Sequence, residues 1–241
     1  MKTSLYEMLQ NLRQQYQDME AFVFLEGRRE RKVSYAQFLE DVERTRREYE
    51  QIRQKRLGLW ADNSYSWICS AVAMLLAGKT LVLLDVNLGD EELLGLSDYT
   101  DVELLIADED IYDSEDTVRN RLPMMRIGHL EKSGSVRQTE QEGELICFTS
   151  GTSSSSKGVV ISAGTLADCA EAGVVNFPGN AGERIYLPLP YHHIYGFTHI
   201  FHILKRGGVI CIGHNRYLKR EMECLLPETA LLVPSMIQHL L

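Results

Sequence analysis

The chain has 241 residues, is 44% hydrophobic and 24% charged, and carries a formal net charge of −9 with an isoelectric point near 5.3. Such a composition supports a globular core and excludes extensive disorder. The acidic balance argues against sequence-independent nucleic-acid binding, which needs Lys and Arg to displace counterions, so no nucleic-acid partner is expected.

Charge is uneven along the chain. Basic residues gather at 28–32 and 44–56, whereas 80–118 contains no Lys or Arg and is rich in Asp and Glu. That acidic run reads as a solvated face, with a metal or a basic partner as the alternative. The five cysteines, Cys69, Cys147, Cys169, Cys211 and Cys224, are odd in number and show no C-x-x-C spacing. Cys69, Cys147 and Cys211 lie in apolar runs, as small hydrophobes do. This pattern points to a reducing, cytoplasmic compartment without a disulfide framework. The longest apolar run, 67–77, falls short of the roughly 20 residues that span a bilayer, and the start lacks a signal-peptide stretch.

In chain order, Leu5, Met8, Leu9, Leu12 and Tyr16 follow helical spacing behind a Ser4 cap. Segments 21–26 and 31–35 read as a hairpin around Gly27, and 35–54 as a long charged helix. A strand at 56–61, a polar break at 63–66, an apolar helix at 67–76 stopped by Gly78, and a strand at 80–84 follow. Next come a helix at 90–99 and a strand at 102–107. The polar stretch 109–142 is expected to be surface structure joining two α/β units, 1–108 and 143–241, with a linker as the alternative. Beyond it the pattern predicts strands at 144–148 and 159–162, a helix at 165–173, a strand at 184–187, a helix at 197–204, a strand at 208–212, a helix at 218–225, a strand at 230–233 and a helix opened by Pro234. Alternating strands and helices of 10–15 residues define an α/β class with mostly parallel sheets flanked by helices.

The most informative segment runs from Leu145 to Ser162. An apolar strand enters a loop of Thr149, Ser150, Gly151, Thr152, Ser153, Ser154, Ser155 and Ser156, which Lys157 and Gly158 close before a second apolar strand. Hydroxyls and backbone N–H groups in a tight loop donate to phosphate oxygens, Gly151 permits close approach, and Lys157 supplies a point charge. A flexible serine-rich linker is the competing reading; two flanking runs of buried type argue against it. A P-loop kinase or ATPase would require a helix directly after the loop.

This segment resembles the signature of the AMP-forming adenylating superfamily (acyl-CoA synthetases and adenylation domains), aromatic-T-S-G-T-T-G-x-P-K-G. Phe148, Thr149, Ser150, Gly151, Thr152, Lys157 and Gly158 match it. Ser153 keeps a hydroxyl, Ser154 replaces a Gly and Ser156 replaces the usual Pro. Weaker stretches agree in order: 31–38, 75–85, 187–197 and 231–241. The resemblance implies the N-terminal part of the AMP-binding large domain of an acyl-CoA-synthetase-like fold. It implies a ligase that uses ATP and Mg²⁺ to convert a small-molecule carboxylic acid into an acyl-adenylate, then an acyl thioester, commonly with coenzyme A. A long-chain fatty acid is the acid the wording around 187–198 favours.

It further implies that Thr149, Ser150, Gly151, Thr152, Ser153 and Lys157 bind the ATP phosphates and that His193 positions the substrate, with His192 as the alternative by one residue. The family's adenine- and Mg²⁺-binding segment, ribose-binding Asp and C-terminal lid with its Lys are not found in this sequence. The chain is therefore expected to be incomplete for adenylation alone, and a phosphate- or partner-binding module is the alternative function. His199 and His202, at i, i+3 spacing, read as packing or surface residues rather than metal ligands, and no metal site is assigned to protein side chains. Oligomeric state is not legible.

Overall fold

The computed structural model describes residues 4–129, 141–149, 157–177 and 179–238. The first stretch contains α1 (Leu5–Tyr16), β1 (Glu20–Glu26), β2 (Arg29–Ser34), α2 (Tyr35–Glu50) and β3 (Arg56–Trp60). It continues with α3 (Tyr65–Leu76), β4 (Thr80–Leu83), α4 (Asp90–Tyr99), β5 (Leu104–Ala107), α5 (Glu109–Ser114), α6 (Asp116–Arg119) and β6 (Met124–Arg126). After it come β7 (Glu144–Thr149), β8 (Lys157–Ser162), α7 (Ala163–Asn176), β9 (Arg184–Leu187), α8 (Ile194–Lys205) and β10 (Val209–Ile212). A single 3-10 turn at Asn215–Tyr217, α9 (Leu218–Leu225), β11 (Thr229–Ala230) and α10 (Pro234–Gln238) complete the order.

The strands form two mixed, mostly parallel sheets, β11-β9-β10-β1-β2 and β6-β5-β3-β4-β7-β8. Each is parallel except at one edge, where a hairpin, β1–β2 or β7–β8, adds an antiparallel strand. Contacts divide the chain into one unit of 1–40, 63–65 and 164–241 and another of 41–62 and 66–163. This differs from the sequence-based division into 1–108 and 143–241 joined by 109–142. The reason is pairing: β1 lies beside β10, with Phe22 opposite Ile210, whereas β7 lies beside β4, with Leu81 opposite Leu145. Stretch 109–129 is not a linker either, because α5, α6 and β6 form there and β6 extends the sheet beside β5.

In the first unit, α1 opens on a capping box. Ser4 Oγ accepts from Glu7 N–H, and the Glu7 carboxylate accepts from Ser4 N–H, satisfying two donors the first turn leaves free. Leu5, Met8, Leu9 and Leu12 of α1 are buried, as are Phe22, Phe38, Phe197, Ile200 and Phe201. Tyr35 is buried, and its hydroxyl lies 2.8 Å from the Gly208 carbonyl and 3.1 Å from that of Leu204. Burial raises its pKa, which keeps it a neutral donor.

In the second unit, α3 is apolar all round and buried from Trp67 to Leu76, as expected of a helix inside a layered fold. It stops at Gly78, whose φ of 67° lets Lys79 N–H reach back to the Met74 carbonyl. Lys79 is buried, and its ammonium donates to the carbonyls of Ile52 (2.5 Å) and Gln54 (3.0 Å), while burial and Lys55 lower its pKa to about 8. Part of the acidic run caps backbone. Asp108 accepts from Ile111 and Asp62 N–H groups, and Glu103 accepts from those of Lys55 and Arg56. Among the described residues, no helix is long and apolar enough to cross a membrane.

Candidate functional site

In both sheets a chain segment carrying predicted site residues leaves a parallel strand at its carboxyl end, where ligands of open α/β sheets bind. In the second unit the strand is β7. It runs parallel to β4 and returns antiparallel as β8 in an unbroken register from Glu144 opposite Ser162 to Thr149 opposite Lys157. The ladder therefore brings the backbones of Thr149 and Lys157 together at the mouth of the hairpin. Lys157 is exposed there. Ser150, Gly151, Thr152 and Ser153 lie outside the described residues. The loop leads into a strand, β8, and not into the helix that a P-loop enzyme would have.

One expectation about this hairpin fails. β8 is not a strand of buried type: Val159 is 41% exposed and Val160 59%. β8 is the edge of its sheet, paired only with β7, so its apolar residues lack a second covering layer among the described residues. The entering strand does match the buried type, with Leu145, Ile146 and Cys147 all buried. The continuous ladder, and not burial on both sides, distinguishes this segment from a linker. At the root of the hairpin, Gly143 donates to the Leu75 carbonyl at 2.7 Å. A Cβ there would fall 1.9 Å from the Lys79 carbonyl oxygen, so only glycine fits this approach.

In the first unit the strand is β9, parallel to β10 and β11. Beyond Leu187, residues 188–193 turn into α8. His193 is the N-cap residue of α8, is exposed, and makes no side-chain cap hydrogen bond. Its N–H reaches the Pro190 carbonyl at 3.2 Å and its carbonyl accepts from Phe197 N–H at 2.9 Å. The His192 ring lies 4.5 Å from that of His193 and is less exposed, so His193 is the more accessible of the two candidates. Gly196 lets the turn sit against the helix start, since a Cβ there would lie 2.3 Å from the Pro190 carbonyl oxygen.

Further along α8, His199 is buried and His202 half-buried. Their rings are 5.1 Å apart, and His199 also meets Phe177 at 5.1 Å and Tyr195 at 4.5 Å. Burial, aided by His202, lowers the His199 pKa to about 4, and burial also lowers that of His202. These are neutral packing residues, as the i, i+3 spacing leaves open. A cavity of about 240 Å³ lies beside them, walled by Phe177, Ile185, Ile203 and Leu231.

The sequence carries no sign of a buried polar cluster beneath the 188–193 turn. Asn63 Nδ2 donates to the carbonyls of Leu189 (2.9 Å) and Gly213 (3.1 Å), and its Oδ1 accepts from Tyr191 N–H (3.0 Å). Glu221, His214 and Tyr186 continue the cluster. Burial alone would raise the Glu221 pKa, but hydrogen bonds from His214 and Tyr186 outweigh it and hold the carboxyl below its usual range. The same carboxylate raises the pKa of Tyr186 together with burial. In the sequence, Asn63 reads as part of a polar break and a candidate cap before a helix.

Two mixed sheets flanked by helices, each presenting a loop from the carboxyl end of a parallel strand, define the N-terminal domain of an acyl-CoA-synthetase-like fold. Residues 9–241 match the AMP-binding enzyme family, and the chain belongs to that family. No curated protein matches it. Among solved structures it is similar to the inhibitor-bound N-terminal domain of FACL13 from Mycobacterium tuberculosis, with a TM-score of 0.83 at 17% identity over 98% of this chain and 64% of that one. It is similar to O-succinylbenzoate coenzyme A synthetase from Bacillus subtilis in complex with ATP and magnesium ion, with a TM-score of 0.79 at 17% identity over 97% of this chain and 65% of that one. It is also similar to a long-chain-fatty-acid-CoA ligase from Archaeoglobus fulgidus, with a TM-score of 0.82 at 17% identity over 100% of this chain and 53% of that one. The chain thus spans less than two thirds of the length of each of these structures.

Proposed function

We propose that this chain supplies the phosphate-holding loop and the substrate-positioning histidine of an ATP-dependent carboxylate-activating ligase. The observation that carries this reading is the antiparallel ladder that holds the family-signature segment at both ends, with Thr149 opposite Lys157. Such a clamp fixes the two ends of the hydroxyl-rich segment, Thr149 and Lys157, side by side.

In the proposed reaction a carboxylate oxygen attacks the α-phosphorus of ATP. The bond from that phosphorus to the bridging oxygen breaks, and pyrophosphate leaves with the electron pair. A thiol, coenzyme A in this reading, then attacks the acyl carbon as a thiolate, and AMP departs. The protein's work in the first step is positioning and charge neutralisation. Lys157 and the hydroxyls and backbone N–H groups of Thr149, Ser150, Gly151, Thr152 and Ser153 hold the β- and γ-phosphates. An exposed ammonium at the hairpin mouth suits a polyphosphate. Mg²⁺ bound with the ATP adds positive charge at the same oxygens. His193, exposed at the start of α8, orients the incoming carboxylate. A long-chain fatty acid is the first acid to test.

The test is carboxylate-dependent exchange of pyrophosphate into ATP, measured on the full-length protein across a panel of fatty and aromatic acids. Exchange that falls at least a hundredfold in Lys157→Ala and Thr152→Ala supports the ligase. A folded protein that binds ATP yet shows no exchange with any acid would instead make it a phosphate- or partner-binding module.

A further inference from the structure

The cluster beneath the 188–193 turn has a proton count that its geometry fixes. His214 Nε2 lies 2.8 Å from the Asn63 backbone carbonyl, and His214 Nδ1 lies 2.8 Å from Glu221 Oε1. A carbonyl has no hydrogen to give, so Nε2 must carry one. Nδ1 and Oε1 hold a second proton between them. Glu221 Oε2 already accepts from His214 backbone N–H at 2.8 Å and from the Tyr186 hydroxyl at 2.6 Å. Two donors on one oxygen favour the ionised carboxylate, which leaves the second proton on Nδ1. His214 is then an imidazolium and Glu221 a carboxylate, each buried or half-buried and each neutralised by the other. Among the titratable or charged groups around the pair are Tyr186, with Tyr191 near it, the Tyr217 ring 6.1 Å from the imidazole, and Arg216, whose guanidinium lies over that ring.

The pair is tied to the turn through one residue. The Asn63 backbone carbonyl accepts the hydrogen bond from His214 Nε2–H, and its side-chain amide joins the Leu189 and Gly213 carbonyls to the Tyr191 N–H. We propose that the doubly protonated His214 is a positioning residue, which links Glu221 to Asn63 and so sets the turn that presents His193. Loss of the Nδ1 proton removes the ring's hydrogen bond to Glu221, so the turn is firmest while the imidazole is charged. The clamp is read from the geometry of this unit alone; only its consequence for substrate binding rests on the role of His193 in the proposed ligase.

The experiment is ¹⁵N NMR of the full chain labelled at histidine, with the His214 ring assigned from His214→Gln. At pH 7 both ring nitrogens of His214 are expected at imidazolium shifts. As His214 loses its proton, the Tyr191 amide should exchange with solvent at least tenfold faster than base catalysis alone predicts. Glu221→Gln should produce the same acceleration at pH 7, and Asn63→Asp should alter it without changing the His214 shifts by a full protonation step. If active, Glu221→Gln should raise KM for the acid at least tenfold while kcat changes less. A neutral His214 at pH 7 would overturn the proposal. So would a charged His214 whose deprotonation leaves the Tyr191 amide unchanged in the native protein, which requires no variant to fold. Failure of pyrophosphate exchange with every acid would count against the ligase and leave the NMR result to decide the clamp.

Discussion

The β7–β8 hairpin and the 188–193 turn do comparable work by different means. Each leaves the carboxyl end of a parallel strand, and each carries residues proposed above to contact substrate. The hairpin is held by its own backbone: a continuous antiparallel ladder from Glu144–Ser162 to Thr149–Lys157, on an edge strand whose side chains are largely exposed. The turn has no ladder. Side chains hold it instead, with Asn63 bonded to three backbone groups and backed by the hydrogen-bonded His214 and Glu221 side chains. A ladder tolerates change in side chains and fails when its backbone is pushed. A side-chain network fails at single residues.

The strongest break in the hairpin should therefore come at its root. Gly143→Ala places a Cβ 1.9 Å from the Lys79 carbonyl oxygen, which already accepts from Glu144 N–H. The obstacle is backbone, which cannot swing aside as a side chain does. The expected loss is about 3 kcal/mol, the upper end of ordinary overpacking. The urea midpoint should fall with an unchanged slope. A midpoint within experimental scatter of the native protein would mean that the hairpin root is not fixed in this way.

Gly196→Ala makes the matching break at the turn, with a Cβ 2.3 Å from the Pro190 carbonyl oxygen. The turn is surface structure and has room to shift, so about 2 kcal/mol is expected, less than for Gly143. The informative readout is the Tyr191 amide, which should lose hydrogen-exchange protection while the amides of β9 keep theirs. Equal loss in both would mean that the turn and the strand yield together.

How much of this was legible in the sequence depends on the range of the interactions. The helix at α1 was readable because Ser4, Glu7 and the apolar row at Leu5, Met8, Leu9 and Leu12 are local. The two strands that flank the hydroxyl run were readable for the same reason. The division into units was not, because β1 finds its parallel neighbour in β10, far along the chain. Nor was the exposure of Val159 and Val160, since an apolar strand pattern does not reveal whether a second neighbour covers it. The turn's anchors were hidden most thoroughly: His214 and Asn63 are 151 residues apart, and neither sits in a pattern that singles it out.

The next effect sharpens the comparison by charge instead of shape. His199 lies on α8, the helix that the turn opens, and its pKa is lowered from 6.5 to about 4 by burial and by His202. Between these values the unfolded chain binds a proton that the folded chain refuses. Stability therefore falls as pH drops from 6.5 towards 4, with a slope of at most about 1.4 kcal/mol per pH unit from this group. His202, shifted in the same direction by burial, adds to it. His199→Phe should keep the contacts with Phe177 and Tyr195 and flatten the acid side of the stability curve. Denaturant midpoints at pH 4.5 and 7 measure it, and an unchanged difference between the two would show that His199 titrates normally.

The smallest effect belongs to the outer face of β8. Val160 is 59% exposed and pairs through its backbone with Ile146. Val160→Thr keeps the β-branch that strands favour and removes little buried apolar surface, so the cost should stay within about 0.5 kcal/mol. The ladder bonds do not involve the side chain, and the amide protection of Val159 and Ile161, whose N–H groups face β7, should persist. This near-silence is what separates a ladder-held segment from a network-held one. If Val160→Thr instead destabilises by more than about 1 kcal/mol, the exposed valine is packed against something in solution, and the hairpin is held by more than its backbone.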